Sequence, residues 1–519
     1  MGLDPMLFRP RAHWITSALL LVILAACLPL AGQKLPAGFV HETLATGFDQ
    51  PVGLTILPDS RVIVIEKVTG HVKVFAGGKV GTLGTIPGVY SNYNERGLLG
   101  VEVDPGWPAR PYLYFHHTVK VPPATWLSMF RIKGDLIHPG STNLTLDQPY
   151  LIVADIPDVN EIHNGGTLRF GPDGMLYVSL GDDAFDCQAQ ETWAPQGKIL
   201  RIDVSKLPGK GLGPPPITEI APKDNPFPKQ TLHGPLVWCY GLRNPFRFNI
   251  DPASGKLYIA DVGSTRVEEL NEASGGENFG WPWYEGPYGW RSCPSNRPPN
   301  TLPIAYYDRS QMNQASIVSF TCYRNRLGGG GNFGNDYEGD VFYVDFFEGF
   351  VRRLKKAGGA WKPAPPVPGQ PSAANWGEEL RFVSDARVGP DGAIYYTGHF
   401  TTSLNRIRFQ PKLPSIVTAS EAPVGQPLTV SARRDHGDFM LLALGTVRIS
   451  PLPLPGVFGR VETIAFPLAA GMADSAGHFD VRLGVPEAVA GFTFYFQCVA
   501  LAGNSSFISP VSVVKAVRK

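Results

Sequence analysis

Short apolar runs recur along most of the chain, each closed by a turn built from proline, aspartate or glycine. Gly53-Leu54-Thr55-Ile56-Leu57-Pro58-Asp59 leads into Val62-Ile63-Val64-Ile65, and Gly100-Val101-Glu102-Val103-Asp104-Pro105 leads into Tyr112-Leu113-Tyr114-Phe115. The same phrase returns at Leu168-Arg169-Phe170-Gly171-Pro172-Asp173-Gly174, at Phe248-Asn249-Ile250-Asp251-Pro252 and at Ala386-Arg387-Val388-Gly389-Pro390-Asp391-Gly392. A further unit, Asp340-Val341-Phe342-Tyr343-Val344-Asp345, keeps the strand and lacks the turn. Each phrase reads as a strand, a tight turn and a returning strand, because Pro, Asp and Gly supply turn dihedrals that the flanking β-branched and aromatic residues do not. Six units at spacings of roughly 45 to 90 residues predict an all-β fold, a six-bladed β-propeller over 38–410.

The pattern changes near Phe409-Gln410-Pro411-Lys412-Leu413-Pro414. Beyond it, Phe492, Phe494, Phe496 and Cys498 alternate with Thr493, Tyr495 and Gln497, a strand with one face inward. With candidate strands over 428–432, 439–449 and 478–485, the stretch 415–519 predicts a small accessory β-sandwich of the immunoglobulin type.

Composition narrows this picture. Glycine (58) and proline (49) are about a fifth of 519 residues, which argues against a helical bundle. Aromatics at 11% argue against disorder. With 46 basic and 45 acidic residues and a net charge of +1, nothing favours nucleic acid as a partner. At the N-terminus, Arg9, Arg11 and His13 precede an apolar run from Ile15 to Leu24 that closes with Leu24-Ala25-Ala26-Cys27. This reads as an export signal over 1–31. The small residues before Cys27 resemble a bacterial lipobox, so the expectation is an exported periplasmic or cell-surface protein with a lipid anchor at Cys27, with cleavage near Ala31 and release as the alternative. No two of the six cysteines form a CxxC pair, which argues against a zinc ribbon. Cys293–Cys322 is the expected disulfide, since both lie in one loop-rich stretch, and Cys498 is expected as a buried small hydrophobe.

Three segments carry chemistry. In Glu161-Ile162-His163-Asn164-Gly165-Gly166 the glycines place His163 at the entry to the third phrase, which ends at Gly181-Asp182-Asp183. A hairpin brings its ends together, so His163 and Asp182 are expected to touch, preparing the imidazole as a general base. A surface turn with a solvated histidine and a strand-capping aspartate is the plain alternative. Tyr240-Gly241-Leu242-Arg243-Asn244-Pro245 enters the fourth phrase in the same way. Arg243 offers a planar donor fork for an oxyanion and Asn244 a donor and an acceptor, or Arg243 simply pairs within its loop. Ala260-Asp261-Val262-Gly263-Ser264 followed by Glu268-Glu269 suits an oxygen-ligand calcium site, although glutamate pairs at strand ends are common. Gly329, Gly331 and Gly334 satisfy GxGxxG but open no helix, and no HExxH, P-loop or GxSxG motif is present.

Taken in order, Glu95-Arg96-Gly97-Leu98-Leu99-Gly100, His163-Asn164-Gly165-Gly166, Asp182, Gly241-Leu242-Arg243-Asn244-Pro245 and Glu277-Asn278-Phe279-Gly280-Trp281-Pro282 resemble the soluble PQQ-dependent glucose/aldose sugar dehydrogenases, the glucose/sorbosone dehydrogenase family. The resemblance runs over about 38–410. It implies a six-bladed propeller holding pyrroloquinoline quinone (PQQ) on one face, partly through calcium (Ca2+). It implies His163 as the base that takes the hydroxyl proton of a sugar while hydride passes to PQQ, and an external electron acceptor. By the same resemblance Asp182 orients His163, Arg243 stabilises negative charge on the cofactor and Asn244 hydrogen-bonds it. The carbonyls of Gly263 and Ser264 match ligands of the cofactor calcium, and Glu269 matches a ligand of a second calcium. Glu95 stands where the glucose enzymes have a glutamine touching the cofactor. Phe347 stands at a lysine position, and Phe382 and Ser384 at two arginine positions, that hold the PQQ carboxylates. Arg381 is adjacent to them, and with Arg352 and Arg353 it is a cation able to replace them. A non-catalytic cell-surface propeller binding glycans or protein is the alternative that these losses favour.

Overall fold

The computed structural model describes residues 33–410 apart from 92–93 and 295–296, and most of 415–517. The export signal and Cys27 lie outside the described residues. Among residues 33–410 six four-stranded antiparallel sheets follow one another. Blade 1 begins with the inner strand Pro51–Ile56, blade 2 with Leu98–Val103, blade 3 with Leu168–Phe170, blade 4 with Arg247–Ile250, blade 5 with Ile317–Cys322 and blade 6 with Val383–Val388. Each inner strand packs beside the inner strands of its two neighbours, which closes the ring. The ring is locked by the chain's first strand, Phe39–Thr46, which is the outermost strand of blade 6 and pairs with Ser403–Phe409 in the register Phe39↔Phe409 to Thr46↔Ser403. Apolar side chains fill the space between adjacent blades, as in the cluster that includes Leu127, Ile152, Leu176, Val178 and Leu200 of blades 2 and 3.

The Pro-Asp turns join inner to second strands and therefore all lie on one face, the bottom. Their aspartates do a second job. Asp104, Asp173 and Asp391 each accept a hydrogen bond from the tyrosine of the returning strand, Tyr114, Tyr177 and Tyr395, at 2.7–3.0 Å. The recurrent phrase is thus a turn with its own lock. Blade 5 lacks the phrase because a long glycine-rich connection, not a tight turn, joins Ile317–Cys322 to its partner strand Val341–Asp345.

Antiparallel geometry then puts the starts of the inner strands and the ends of the second strands on the opposite, top face. Inner-strand registers slip near that face, at Pro51/Gly53, Leu98/Gly100 and Val383/Asp385. A bulge leaves one residue outside the ladder. Those residues are Val52, Leu99 and Ser384, and the buried Arg247 guanidinium donates to all three of their carbonyls. One arginine therefore satisfies three bulges beneath the top face.

The C-terminal stretch holds a three-stranded sheet (Ser415–Val417, Pro427–Arg433, His478–Gly484) and a second, larger sheet that includes Phe439–Pro453 and Thr493–Ala502. Val430 and Ala432 from one sheet and Met440, Leu442, Phe496 and Cys498 from the other share one core. Cys498 is fully buried there, as expected.

The expected Cys293–Cys322 disulfide is corrected: Cys187 pairs with Cys293. Cys322 ends an inner strand and is buried towards the bottom of blade 5, whereas Cys293 lies in the top-face insertion of blade 4. Closeness in sequence does not bring the two ends of a blade together.

Candidate active site on the top face

Acids that end second strands organise the top face. Glu66 accepts the backbone N–H of Asp49, Asp261 those of Arg243 and Asn244, and Asp345 that of Ser316, so each acid clamps the loop entering its own blade's inner strand. Blade 3 departs from this. Its acid, Asp182, is bonded to a side chain: Asp182 Oδ1 lies 2.6 Å from His163 Nδ1. Asp182 is fully buried and also accepts from Trp281 Nε1 at 2.8 Å and from the Ala184 N–H at 2.8 Å. Because a carboxylate only accepts, the neutral imidazole carries its hydrogen on Nδ1 and presents a lone pair at Nε2. The backbone aims the ring. His163 has φ +63°, in the left-handed region that non-glycine residues rarely occupy, and Gly165 and Gly166 follow with positive φ. A Cβ at Gly166 would stand 2.7 Å from Leu99 Cβ, so this loop packs against blade 2 only with glycine there.

The strained His163 loop is held by two further side chains. Glu95 Oε2 accepts from the His163 N–H at 2.7 Å, the Asn164 N–H at 3.3 Å and Asn244 Nδ2 at 3.1 Å. Asn244 Oδ1 accepts from the Gly165 N–H at 3.2 Å. Glu95 and Asn244 thus link blades 2, 3 and 4 behind the His163 ring. Arg243 donates to the Val262 carbonyl at 2.9 Å and lies 5.5 Å from the Trp281 ring centroid. Trp281 therefore touches both Arg243 and Asp182, and the Cys187–Cys293 disulfide and the Arg291–Asp186 ion pair tie its insertion to the loop after Asp182. Lys67 of blade 1, buried, donates to the Asn94 carbonyl, and burial pulls its pKa down against the attraction of Glu95.

In blade 4 the loop Gly263–Val267 wraps the carboxylate of Glu285, whose Oε1 accepts from the N–H groups of Ser264, Thr265, Arg266 and Val267 at 2.8–3.3 Å. The Gly263 carbonyl accepts from Arg309 Nη1 at 2.7 Å, and Arg309 also pairs with Glu268. Glu269 accepts from the Gly286 N–H, and its pKa is pushed up to about 8 by burial, reinforced by Asp261 and Glu285. Asp261 is likewise pushed up, by burial, to about 7. Glu285 Oε2 and Asn271 Oδ1 are buried without a hydrogen-bond partner. Among the described residues no group of three or more His, Cys, Asp or Glu side chains is gathered closely enough to hold a metal.

Blades 5 and 6 present rings instead. Phe346 packs against Phe347, Phe382 and Phe400 with centroids 5.0–6.0 Å apart, and His399 lies 4.7 Å from Phe400. Ser384 is buried and bonded to the Pro51 carbonyl. Arg381 is not brought to His163. It donates to the Phe347 carbonyl, pairs with Glu379 and lines a groove with Thr43 and Asn405 on the outer side of blade 6. Arg353 is paired with Asp340, and Arg352 lies over the Phe350 ring.

The structure therefore gathers His163, Asp182, Arg243, Asn244 and Glu95, places Gly263, Ser264 and Glu269 in the neighbouring blade, and leaves Arg381 apart. Sequence reasoning missed Lys67, Glu285 and Arg309, and quoted Trp281 without giving it a role. An apolar phrase ending in an acid was a signal for Asp261 and Asp345; Glu285 and Arg309 had none.

The chain is similar to several known proteins. The chain is 35% identical over 190 residues to the HIPL2 protein of Arabidopsis thaliana, covering 31% of this chain and 26% of that protein. It is 27% identical over 263 residues to the aldose sugar dehydrogenase YliI of Escherichia coli (strain K12), covering 49% of this chain and 65% of that protein. The chain thus spans between about a quarter and just under two thirds of these relatives. The solved PQQ-bound aldose sugar dehydrogenase of Streptomyces coelicolor shares the fold, with a TM-score of 0.54 at 24% identity over 72% of this chain and 99% of that one. The glucose/sorbosone dehydrogenase family profile matches residues 48–399, nearly the whole propeller with every residue of the His163 site, and the chain belongs to that family.

Proposed function

We propose that this protein is an exported dehydrogenase that oxidises a sugar or related alcohol on the top face of the propeller, with His163 as general base. The observation that carries the reading is the His163 Nδ1–Asp182 Oδ1 contact of 2.6 Å on a backbone forced to positive φ. A solvated turn histidine needs neither.

Oxidation of an alcohol carbon removes a hydride from carbon and a proton from oxygen. His163 Nε2 receives the proton, and Asp182 stabilises the imidazolium that results. Glu95 and Asn244 keep the ring aimed by holding the backbone of residues 163–165. Arg243 supplies fixed positive charge where negative charge gathers. PQQ, when bound, supplies an electrophilic quinone able to accept the hydride. The residues of blades 3 and 4 fit the quinone end of such a cofactor. Those of blades 5 and 6 do not fit its carboxylates, since Phe347 and Phe382 join an aromatic cluster and Ser384 is bonded into the fold. For calcium, the oxygen donors around Glu269, with Glu285 Oε2 and Asn271 Oδ1 unpartnered, suit a hard cation. At Gly263 the carbonyl already serves the Arg309 guanidinium, which leaves Ser264 as the less committed carbonyl there.

No helix among the described residues is long and apolar enough to cross a membrane. Export, a lipid anchor at Cys27 and electron transfer to an external acceptor complete the proposal.

The test is purified full-length mature protein titrated with PQQ, with and without calcium, and assayed for dye reduction with a panel of aldoses and polyols. Saturable PQQ binding with activity on some member is expected. No binding and no activity across the panel overturns the proposal and favours a second reading, a non-catalytic propeller that binds glycans or protein, for which the aromatic cluster of blades 5 and 6 is the supporting observation.

A further inference from the structure

A groove of about 430 Å3 opens beside the His163 site, between the end of blade 2 and the loops of blade 3, within the size range of small-molecule sites at roughly 300–1,000 Å3. Three of the protein's exposed large apolar side chains meet on it: Phe185, Trp193 and Leu232, with 45%, 37% and 65% of their surfaces exposed. Two are put there by strained backbone. Leu232 itself has φ +51°, and Phe185 follows Asp183 and Ala184 at φ +53° and +55°. Such conformations cost about 1–3 kcal/mol each and persist where the surroundings enforce them.

Pro157 and Pro195 extend the apolar lining, and the remaining residues are polar. Gln188 and Gln196 contribute amides, and the buried His233 lies 2.9 Å from the exposed carboxylate of Asp155. Gln188 Oε1 is buried without a hydrogen-bond partner. No lysine or arginine lines the groove among the described residues. The floor is rigid, because the buried Lys198 ammonium donates to the carbonyls of Gln188, Ala189 and Gln196. Trp193 is fixed by its N–H bond to Glu191 at 3.0 Å.

Aromatic faces beside planar amides and a carboxylate are the chemistry that recognises a pyranose ring. Its C–H faces pack on the rings, and its hydroxyls both donate to and accept from Gln and Asp. An anionic ligand lacks a cation here. The groove also adjoins the His163 loop. Pro157 and Gln196 border both it and the small cavity against His163 and Asn164, and the Phe185 N–H bonds the Asp182 carbonyl.

We propose that this groove is a second sugar-ring subsite, so that the molecule oxidised at His163 is an oligosaccharide or a glycan end and not a free monosaccharide. The proposal rests on the reading of the top face as a sugar-oxidising site, but its test does not require turnover. Cofactor-free full-length mature protein is titrated with glucose and with cello-, malto-, xylo- and chitotetraose, followed by tryptophan fluorescence and calorimetry. At least one tetrasaccharide is expected to bind tenfold or more tighter than glucose. Trp193→Ala and Phe185→Ala, both at exposed positions, each reduce that ratio about tenfold, whereas Leu327→Ala, an exposed apolar side chain outside the groove, leaves it unchanged. His163→Ala keeps tetrasaccharide binding and loses oxidation. If no tetrasaccharide outbinds glucose, or the preference survives both groove variants, the subsite is overturned even where glucose is oxidised. If the preference holds and depends on the groove while no sugar is oxidised, the subsite stands and the dehydrogenase reading falls.

Discussion

Of the histidines on the top face, His163 in blade 3 and His399 in blade 6 have opposite surroundings. His163 meets a carboxylate at 2.6 Å. His399 meets only the Pro51 carbonyl, at 3.2 Å, and is packed by Phe346 and Phe400. Burial, helped by the positive charges of Lys67 and Arg247, pushes the His399 pKa down to about 4. Both rings follow from one scaffold rule, in which loops before inner strands and after second strands share a face. What differs is the furniture each blade supplies. Blades 2, 3 and 4 bring Glu95, Asp182 and Asn244, and an imidazole held by a carboxylate results. Blades 5 and 6 bring phenylalanines, and an inert neutral ring results.

The comparison breaks most visibly if His163 is expendable. His163→Ala is expected to lower kcat/KM about 10²–10⁴-fold, the usual worth of a general base. A variant with wild-type turnover would put the two histidines on the same footing. On the other side, His399 is expected to matter for stability and for its pH dependence. Its folded pKa lies below the ordinary value of 6.5, so the unfolded chain binds this proton first as pH falls. Its contribution is whole above about pH 6.5 and is lost as pH falls towards 4, a change of about 3 kcal/mol. His116 and His117, buried and pushed down to about 3 and about 4, act in the same direction. Calorimetry between pH 7.5 and 4.5 is expected to show falling stability, and His399→Gln to flatten the slope by about one proton.

The aromatic side can also be turned back towards the polar one. If PQQ binds as proposed, Phe347→Lys supplies a cation for its carboxylates. A hydrogen bond to a charged group is worth about 1.5–3 kcal/mol, so PQQ affinity measured by titration is expected to rise about 10–100-fold. An unchanged affinity would mean that blade 5 does not face the ligand at all.

Local chemistry was legible in the sequence, and meetings between distant loops were not. The Pro-Asp phrases marked five blades because turn dihedrals and strand propensity are local. The His163–Asp182 contact followed because a hairpin joins its own ends. Blade 5 was faint since a long connection replaces its turn, and the closure of the ring by Phe39–Thr46 left no mark, because pairing 39 with 409 is a tertiary event. The same reason hid the Cys187 partner of Cys293, the four N–H groups gathered by Glu285, and Arg309 on the Gly263 carbonyl. Glu95 also supports the His163 loop, which the sequence did not show, because which way a side chain leans depends on neighbours in other blades.

Trp281 is where the polar side depends on such a meeting, and it gives the smallest expected effect. Its indole N–H donates to Asp182 Oδ2, opposite the oxygen that holds His163. Trp281→Phe keeps the ring beside Arg243 and removes only that donor. The carboxylate then carries more of its charge towards the imidazole and is less firmly aimed. One neutral-donor hydrogen bond is worth about 1 kcal/mol, so kcat/KM is expected to fall about fivefold. A purely structural role would lower activity equally at all pH. A positioning role moves the acid limb of the pH–rate profile to higher pH, since a less satisfied carboxylate favours the protonated imidazole. A uniform loss with an unmoved limb would detach Trp281 from His163.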